Sequence, residues 1–252
     1  MPSYPPQQVR LTFGPGRLTP AVKSLIWDNV AMFVVTVFLP ELNVYLGLVP
    51  AAVVGRLAIW QPFTYMFLHA GALHLIFNML ALWMFGVELE RMWGTRFFLR
   101  YYVVTGVGAA ATTLLLSLAP WGIGDLMYRS LTIGASGAIY GLLLAYGLYF
   151  PDRPIYLYLL FPVPAKWFVL IMGGMAFLSS IQNAGGGVAH AAHLGGLVVG
   201  YIYLQKRRGR PLIDVKYYLT RWRMNQMRKR FEVHQGRRPG PGSGPGPGGW
   251  VH

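Results

Sequence analysis

The fold class this sequence predicts is an all-α polytopic membrane protein with six transmembrane helices, and three observations carry that reading. The 252 residues are 54% hydrophobic and 12% charged, whereas soluble domains are about one-quarter charged. Stretches free of Asp, Glu, Lys and Arg recur at 57–87, 101–124, 130–151 and 167–205, each near or above the roughly 20 apolar residues that cross a bilayer core. The basic residues between these stretches alternate between dense and sparse loops, as they do when successive loops lie on opposite sides of a membrane.

The elements follow in order. Residues 1–20 are polar and proline-rich, unlike a cleavable signal, and are read as a cytoplasmic N-terminal segment. A first helix is expected near 24–39, carrying Asp28 and ending at Pro40. Helices follow near 69–87, 101–119 and 135–150. The longest apolar stretch is broken by Asn183-Ala184-Gly185-Gly186-Gly187, which divides it into helices near 167–183 and 188–204. The membrane domain is therefore 21–204. In this arrangement 20 of the 22 basic residues fall on one side and only Arg56 and Arg129 on the other, so both termini are expected in the cytoplasm. Trp27, Trp60, Trp93, Trp121 and Trp167 fall near span ends, where interfacial anchors gather.

Residues 205–252 form a basic tail opened by Lys206-Arg207-Arg208. Leu212, Val215, Leu219 and Trp222 recur at helical spacing there, as in an amphipathic helix lying on anionic lipid. From about 236 the Gly/Pro-rich sequence cannot build a core and is expected to be disordered. Twelve basic residues lie beyond 205, leaving the body too few for a nucleic-acid-binding face; lipid is the acidic partner that fits. With no cysteine there is no disulfide, thiol nucleophile or Cys-based zinc site.

Polar groups inside spans are costly and mark function by default. His69, His74 and Asn78 are assigned to the second span, Ser136 opens the fourth, and His190 and His193 open the sixth. Each alone has a structural explanation as a hydrogen-bonded bundle residue. Their arrangement says more. His74 and Asn78, four apart, share a helix face. Gly134-Ala135-Ser136-Gly137 sets a hydroxyl among small residues at a helix start, where backbone N–H groups favour a developing anion. Ala192-His193-Leu194-Gly195-Gly196 sets a base among small residues on another helix. The pairs Gly137/Gly141 and Gly196/Gly200 allow close helix approach, which a nucleophile and base on separate helices require. Metal chemistry fits less well, because His69 and His74, five apart, would diverge by about 140° on one helix. A proton relay lacks carboxylates in spans two to six.

With those motifs in view, the chain resembles the rhomboid intramembrane serine proteases over about 57–204. His69, His74 and Asn78 look like the family's His-x4-His-x3-Asn helix, Gly134, Ser136 and Gly137 like its Gly-x-Ser-Gly, and Ala192, His193, Gly196 and Gly200 like its Ala-His-x2-Gly-x3-Gly. The resemblance implies a six-span serine endopeptidase of a bacterial inner membrane that cleaves transmembrane substrates without metal or organic cofactor. It assigns Ser136 as nucleophile and His193 as base, with Tyr140 supporting the imidazole. The oxyanion would be held by His74, Asn78 and the Ser136 N–H, and His69, Gly134, Gly137, Gly196 and Gly200 would support the site. Glu90, Arg91 and Gly94 also sit where the family often has Glu, a basic residue and Gly, and 41–68 corresponds to the first external loop. One departure is Gln61, after Trp60, where many members have Arg. A non-catalytic relative that escorts membrane clients is the competing class, but such proteins typically lack the Ser or the His.

Overall fold

The computed structural model describes residues 14–120, 122–157, 161–181, 187–208 and 224. The fold belongs to the first of two units into which the chain divides, Met1–Leu212. The expected amphipathic helix near 212–222 and the disorder from about 236 lie outside the described residues.

Six helices correspond to the six expected spans. Helix α1 runs Pro20–Phe38, four residues earlier than expected, because Pro20 at its first turn suits a helix start. Its free N–H groups are met across the bundle by Glu90, which accepts from Ala21 N and Val22 N at 3.0 Å each and from the Thr19 hydroxyl. The next segment folds as short helices α2 Leu42–Leu46, α3 Pro50–Arg56 and α4 Gln61–Thr64, followed by a 3₁₀ turn at Tyr65–Phe67. The second span combines α5 Ala72–Ala81, a π-helical stretch Leu82–Gly86 and α6 Val87–Trp93. It therefore starts after residue 69 and passes 87, carrying Glu88, Glu90 and Arg91 within the helix. Helix α7 is Thr95–Ser117 and α8 is Gly122–Arg129. Helix α9 is Ser136–Tyr149, α10 is Ala165–Ile181 and α11 is Gly187–Arg208. The expected break at Asn183-Ala184-Gly185-Gly186-Gly187 lies outside the described residues except for Gly187, which opens α11. Helix α11 runs past the expected limit of 204, so Lys206 belongs to the helix and not to the tail.

Pro20–Phe38, Ala72–Trp93 and Thr95–Ser117 are by themselves long and apolar enough to cross a membrane, and Ser136–Tyr149 and Ala165–Ser179 are shorter apolar helices. Large hydrophobic side chains such as Leu73, Phe77, Leu115, Leu170 and Val198 are exposed, as expected of surfaces that face acyl chains rather than water. The chain is an all-α membrane bundle with one small addition that the hydropathy pattern does not reveal. Strands β1 Pro154–Leu157 and β2 Phe161–Pro164 pair antiparallel, with Ile155 opposite Val163, in the connection between α9 and α10. Four-residue strands of β-branched and aromatic residues between prolines are too short to stand out from an apolar background.

The core is layered by helix–helix contact at glycines. A side chain at Gly196 of α11 would collide with the backbone carbonyl of Gly137 on α9, and one at Gly200 would meet Gly141 Cα at 3.3 Å. The two glycine pairs thus face each other directly, letting α9 and α11 touch backbone to backbone. Helix α7 forms the other wall. Its Tyr101 hydroxyl donates to Gly141 O at 2.8 Å, and Gly195 packs on Thr112 and Ala109.

Candidate active site

Ser136 is the first residue of α9, so its own N–H has no intrahelical acceptor and the positive end of a 14-residue helix surrounds it. The preceding loop is fixed from both sides. Leu48 and Thr132 exchange backbone hydrogen bonds of 2.9 and 2.8 Å, and Gly134 N donates to Tyr65 O at 2.9 Å. Gly134 takes φ +133°, a conformation that disfavours side chains, and a Cβ there would press into His74 Cε1 and Nε2 at 2.9 and 3.0 Å. The same hypothetical atom would lie 3.6 Å from Ser136 Oγ. Gly134 is therefore the spacer that lets the His74 ring edge and the Ser136 hydroxyl share one small volume.

His193 projects from the first turns of α11, and its Nε2 lies 2.8 Å from Ser136 Oγ. That distance exists because Gly196, one turn further on, lets α11 rest on the Gly137 backbone. The imidazole stacks on Tyr140, with ring centroids 4.2 Å apart and planes inclined by 5°. His190 meets the same imidazole edge-on at 5.8 Å. Among the described residues His193 Nδ1 has no hydrogen-bond partner, so no carboxylate orients the ring there; the stacked phenol does.

His74 is half-buried, and its Nδ1 lies 3.4 Å from the Ala70 N–H that donates to it. A neutral imidazole that accepts at Nδ1 carries its proton at Nε2, the atom beside Gly134. Asn78 lies one turn below and is buried; its Nδ2 donates to His74 O at 2.7 Å, which leaves a second amide N–H for another acceptor. His69 requires a correction. It precedes α5 rather than lying on it, since the helix begins at Ala72, after Ala70 and Gly71. The 140° divergence argued from a continuous helix does not apply: the His69 and His74 rings meet edge-on at 5.0 Å. His69 is 3% exposed and packs beneath His74 as a buried support. No group of three or more His, Cys, Asp or Glu residues able to hold a metal ion occurs among the described residues.

Tyr65 escapes a reading of the sequence, and Gln61 stands out there only as a departure with no role attached. Tyr65 gives its carbonyl to Gly134 and donates its hydroxyl to Gly106 O at 2.7 Å, tying the loop, the Ser136 approach and α7 together. No local pattern marks it, because both contacts are distant in sequence. Gln61 replaces the expected Arg without leaving a gap: it is 3% exposed, accepts from Val49 N at 3.0 Å, and donates to Tyr45 O at 3.2 Å and Val44 O at 3.4 Å. The loop 41–68 is thus stitched by a neutral amide.

Comparison with known proteins follows the same outline. Residues 56–208 match the family described as the Rhomboid domain. The chain is 33% identical over 154 residues to Rhomboid protein 1, mitochondrial, of Saccharomyces cerevisiae, covering 58% of this chain and 43% of that one. It is 31% identical over 169 residues to Rhomboid protease AarA of Providencia stuartii, covering 64% and 57%. With Rhomboid protease GluP of Bacillus subtilis it shares 32% identity over 144 residues, covering 56% and 25%. The matched regions span between a quarter and just over half of the length of these relatives.

Proposed function

Since the chain belongs to the rhomboid family, we propose that it is an intramembrane serine endopeptidase that hydrolyses peptide bonds in or near transmembrane segments of other proteins. The observation that carries this reading is the 2.8 Å contact of Ser136 Oγ with His193 Nε2, a nucleophile within reach of its base. Ser136 attacks the substrate carbonyl while His193 takes the hydroxyl proton and later delivers it to the leaving amine. Stacking on Tyr140 holds the ring in line, so the pair acts as a dyad. The tetrahedral oxygen receives hydrogen bonds from the Ser136 N–H, His74 Nε2 and the free N–H of Asn78, donors already fixed before charge develops.

Depth supports the choice of substrate. Helix α9 has 14 residues, about 21 Å at 1.5 Å per residue, against a hydrocarbon core of about 30 Å. If Tyr149 lies at one face, Ser136 begins roughly 9 Å below the other. A nucleophile at that depth meets membrane-embedded peptide bonds. Two of the relatives are named rhomboid proteases and come from bacteria, and another is a mitochondrial protein of yeast; the location proposed here is a bacterial inner membrane. The distribution of basic residues supports a cytoplasmic placement of both termini. The basic residues beyond 208 supply additional attraction to anionic lipid, and the reaction calls on no metal or organic cofactor.

The direct test is covalent labelling of the purified protein by a serine-directed fluorophosphonate. Labelling at Ser136 that disappears in Ser136→Ala is the expected result. Equal labelling of that variant would remove Ser136 as the nucleophile, and an unlabelled but folded native chain would favour a client-binding role.

A further inference from the structure

At the end of the bundle away from Ser136, α7 and α11 border an open cleft of about 480 Å³ lined by Arg96, Phe97, Arg100, Tyr203 and Lys206. The topology fixes its location: α7 begins at the end where α9 finishes, and α11 finishes there too. Arg96 and Arg100 lie one turn apart on α7, and Lys206 closes the cleft from the last turns of α11. All three cations are exposed. Among the described residues no acid neutralises their charge, because those at this end are already engaged. Glu88 pairs with Arg153 and Asp152 with Lys166, the two ion pairs among the described residues. Glu90 is saturated by Thr19, Ala21, Val22 and Thr95. Three cations around one cleft, with no acidic partner among the described residues, attract a phosphate group.

The walls distinguish a lipid phosphate from a soluble one. Phe97 and Tyr203 stack at 6.0 Å with planes 25° apart, giving the cleft an aromatic side of the kind that sits at headgroup depth. Below Lys206 on the same face of α11, at four-residue steps, lie Ile202 and Val198, 47% and 56% exposed. An apolar track that leads from a cation into the hydrocarbon layer fits an acyl chain and has no use for a free anion. We infer that Arg96, Arg100 and Lys206 bind the phosphate of an anionic phospholipid, whose chain runs along Val198 and Ile202. This site is separate from any attraction exerted by the basic tail.

The full chain, reconstituted in phosphatidylcholine vesicles with a few mole per cent of spin-labelled lipid, tests the assignment. The fraction of motionally restricted label is compared for phosphatidylglycerol and phosphatidylcholine probes. Wild type is expected to select phosphatidylglycerol. The variant Arg96→Gln/Arg100→Gln/Lys206→Gln should lose at least about fivefold of that preference, the factor that one surface cation supplies. Full-length Arg221→Gln/Arg223→Gln/Arg228→Gln should keep most of it. Unchanged selectivity in the cleft variant, or selectivity abolished by the tail variant alone, overturns the proposal. Displacement of the labelled lipid by millimolar inorganic phosphate, but not by chloride at equal ionic strength, would assign the cleft to a soluble anion and overturn the lipid. Dispersity in detergent verifies folding; should the triple variant aggregate, Lys206→Gln alone must still lower the preference measurably, and wild-type selectivity in that variant counts against the site.

Discussion

At the scale of single residues, the proposed mechanism separates groups that would change bonding in the reaction from groups that would stabilise its charge. The proposal puts Ser136 and His193 in the first kind, on the strength of their 2.8 Å contact. Ser136→Ala and His193→Ala are each expected to remove nearly all cleavage of a susceptible transmembrane substrate while the protein stays folded, because neither changes a helix's hydrophobic length. Residual turnover within about tenfold of wild type, measured by gel assay in detergent, would reject the dyad, since a lost nucleophile or base costs far more. The proposal puts His74 and Asn78 in the second kind. Losing one oxyanion donor typically costs about 10²–10³ in kcat, so His74→Ala and Asn78→Ala should be slow rather than dead, with KM little changed. The double variant should lose less than the product of the single effects if both donors serve one oxygen. Unchanged kcat in both single variants, with only a lower thermal midpoint, would assign the pair to helix packing.

Among the elements, Glu90 carries an unusual share of the connections. Its carboxylate accepts from two backbone N–H groups at the start of α1 and from the hydroxyls of Thr19 and Thr95, the latter at the start of α7. One side chain on the second span therefore caps the first and touches the start of the third. Beside it, Arg91 donates to Pro15 O at 2.5 Å and Arg17 O at 2.9 Å, and Trp83 Nε1 to Gly16 O at 3.1 Å, pinning the chain that enters α1. Glu90→Ala would leave buried donors without an acceptor, a loss of about 2 kcal/mol. For a chain of this size that corresponds to a thermal midpoint lower by roughly 4–8 °C. Differential scanning fluorimetry in detergent is the measurement. Fluorophosphonate labelling of Ser136 at low temperature should survive, because Glu90 lies at the opposite end of the second span from His74. A midpoint within a degree of wild type would mean that water replaces the carboxylate at no cost.

For the whole molecule, the question is how much of the chain the reaction needs. Every residue placed at the site precedes Leu204, and α11 carries Lys206 to the membrane surface. A truncation after Gly209 keeps the cations that stop the last span and is expected to retain measurable proteolysis in detergent. It should also retain selection for phosphatidylglycerol through the α7–α11 cleft. A correctly inserted truncation without activity would show that the tail acts on the bundle and does more than attract lipid.

Composition and local pattern were enough to read the membrane class, six helices and which polar residues to single out, because each is a short-range property. A span announces itself by some 20 residues without charge, and a close approach by glycines four apart. Positions that depend on interruptions were less legible. The helix start after His69 and the π-helical stretch at Leu82–Gly86 leave no mark in hydropathy, since turn, π-helix and α-helix here are equally apolar. The β1–β2 hairpin was hidden for the same reason. Only the tertiary structure could set Gly196 on Gly137 and so bring His193 to Ser136, 57 residues away. It alone decided that Tyr65 would hold Gly134, that Gln61 would stitch the loop, and that Arg96, Arg100 and Lys206 would share a cleft. Hydropathy reports the solvent each residue prefers, whereas these contacts depend on which helix faces which, and that is settled by packing of the whole bundle.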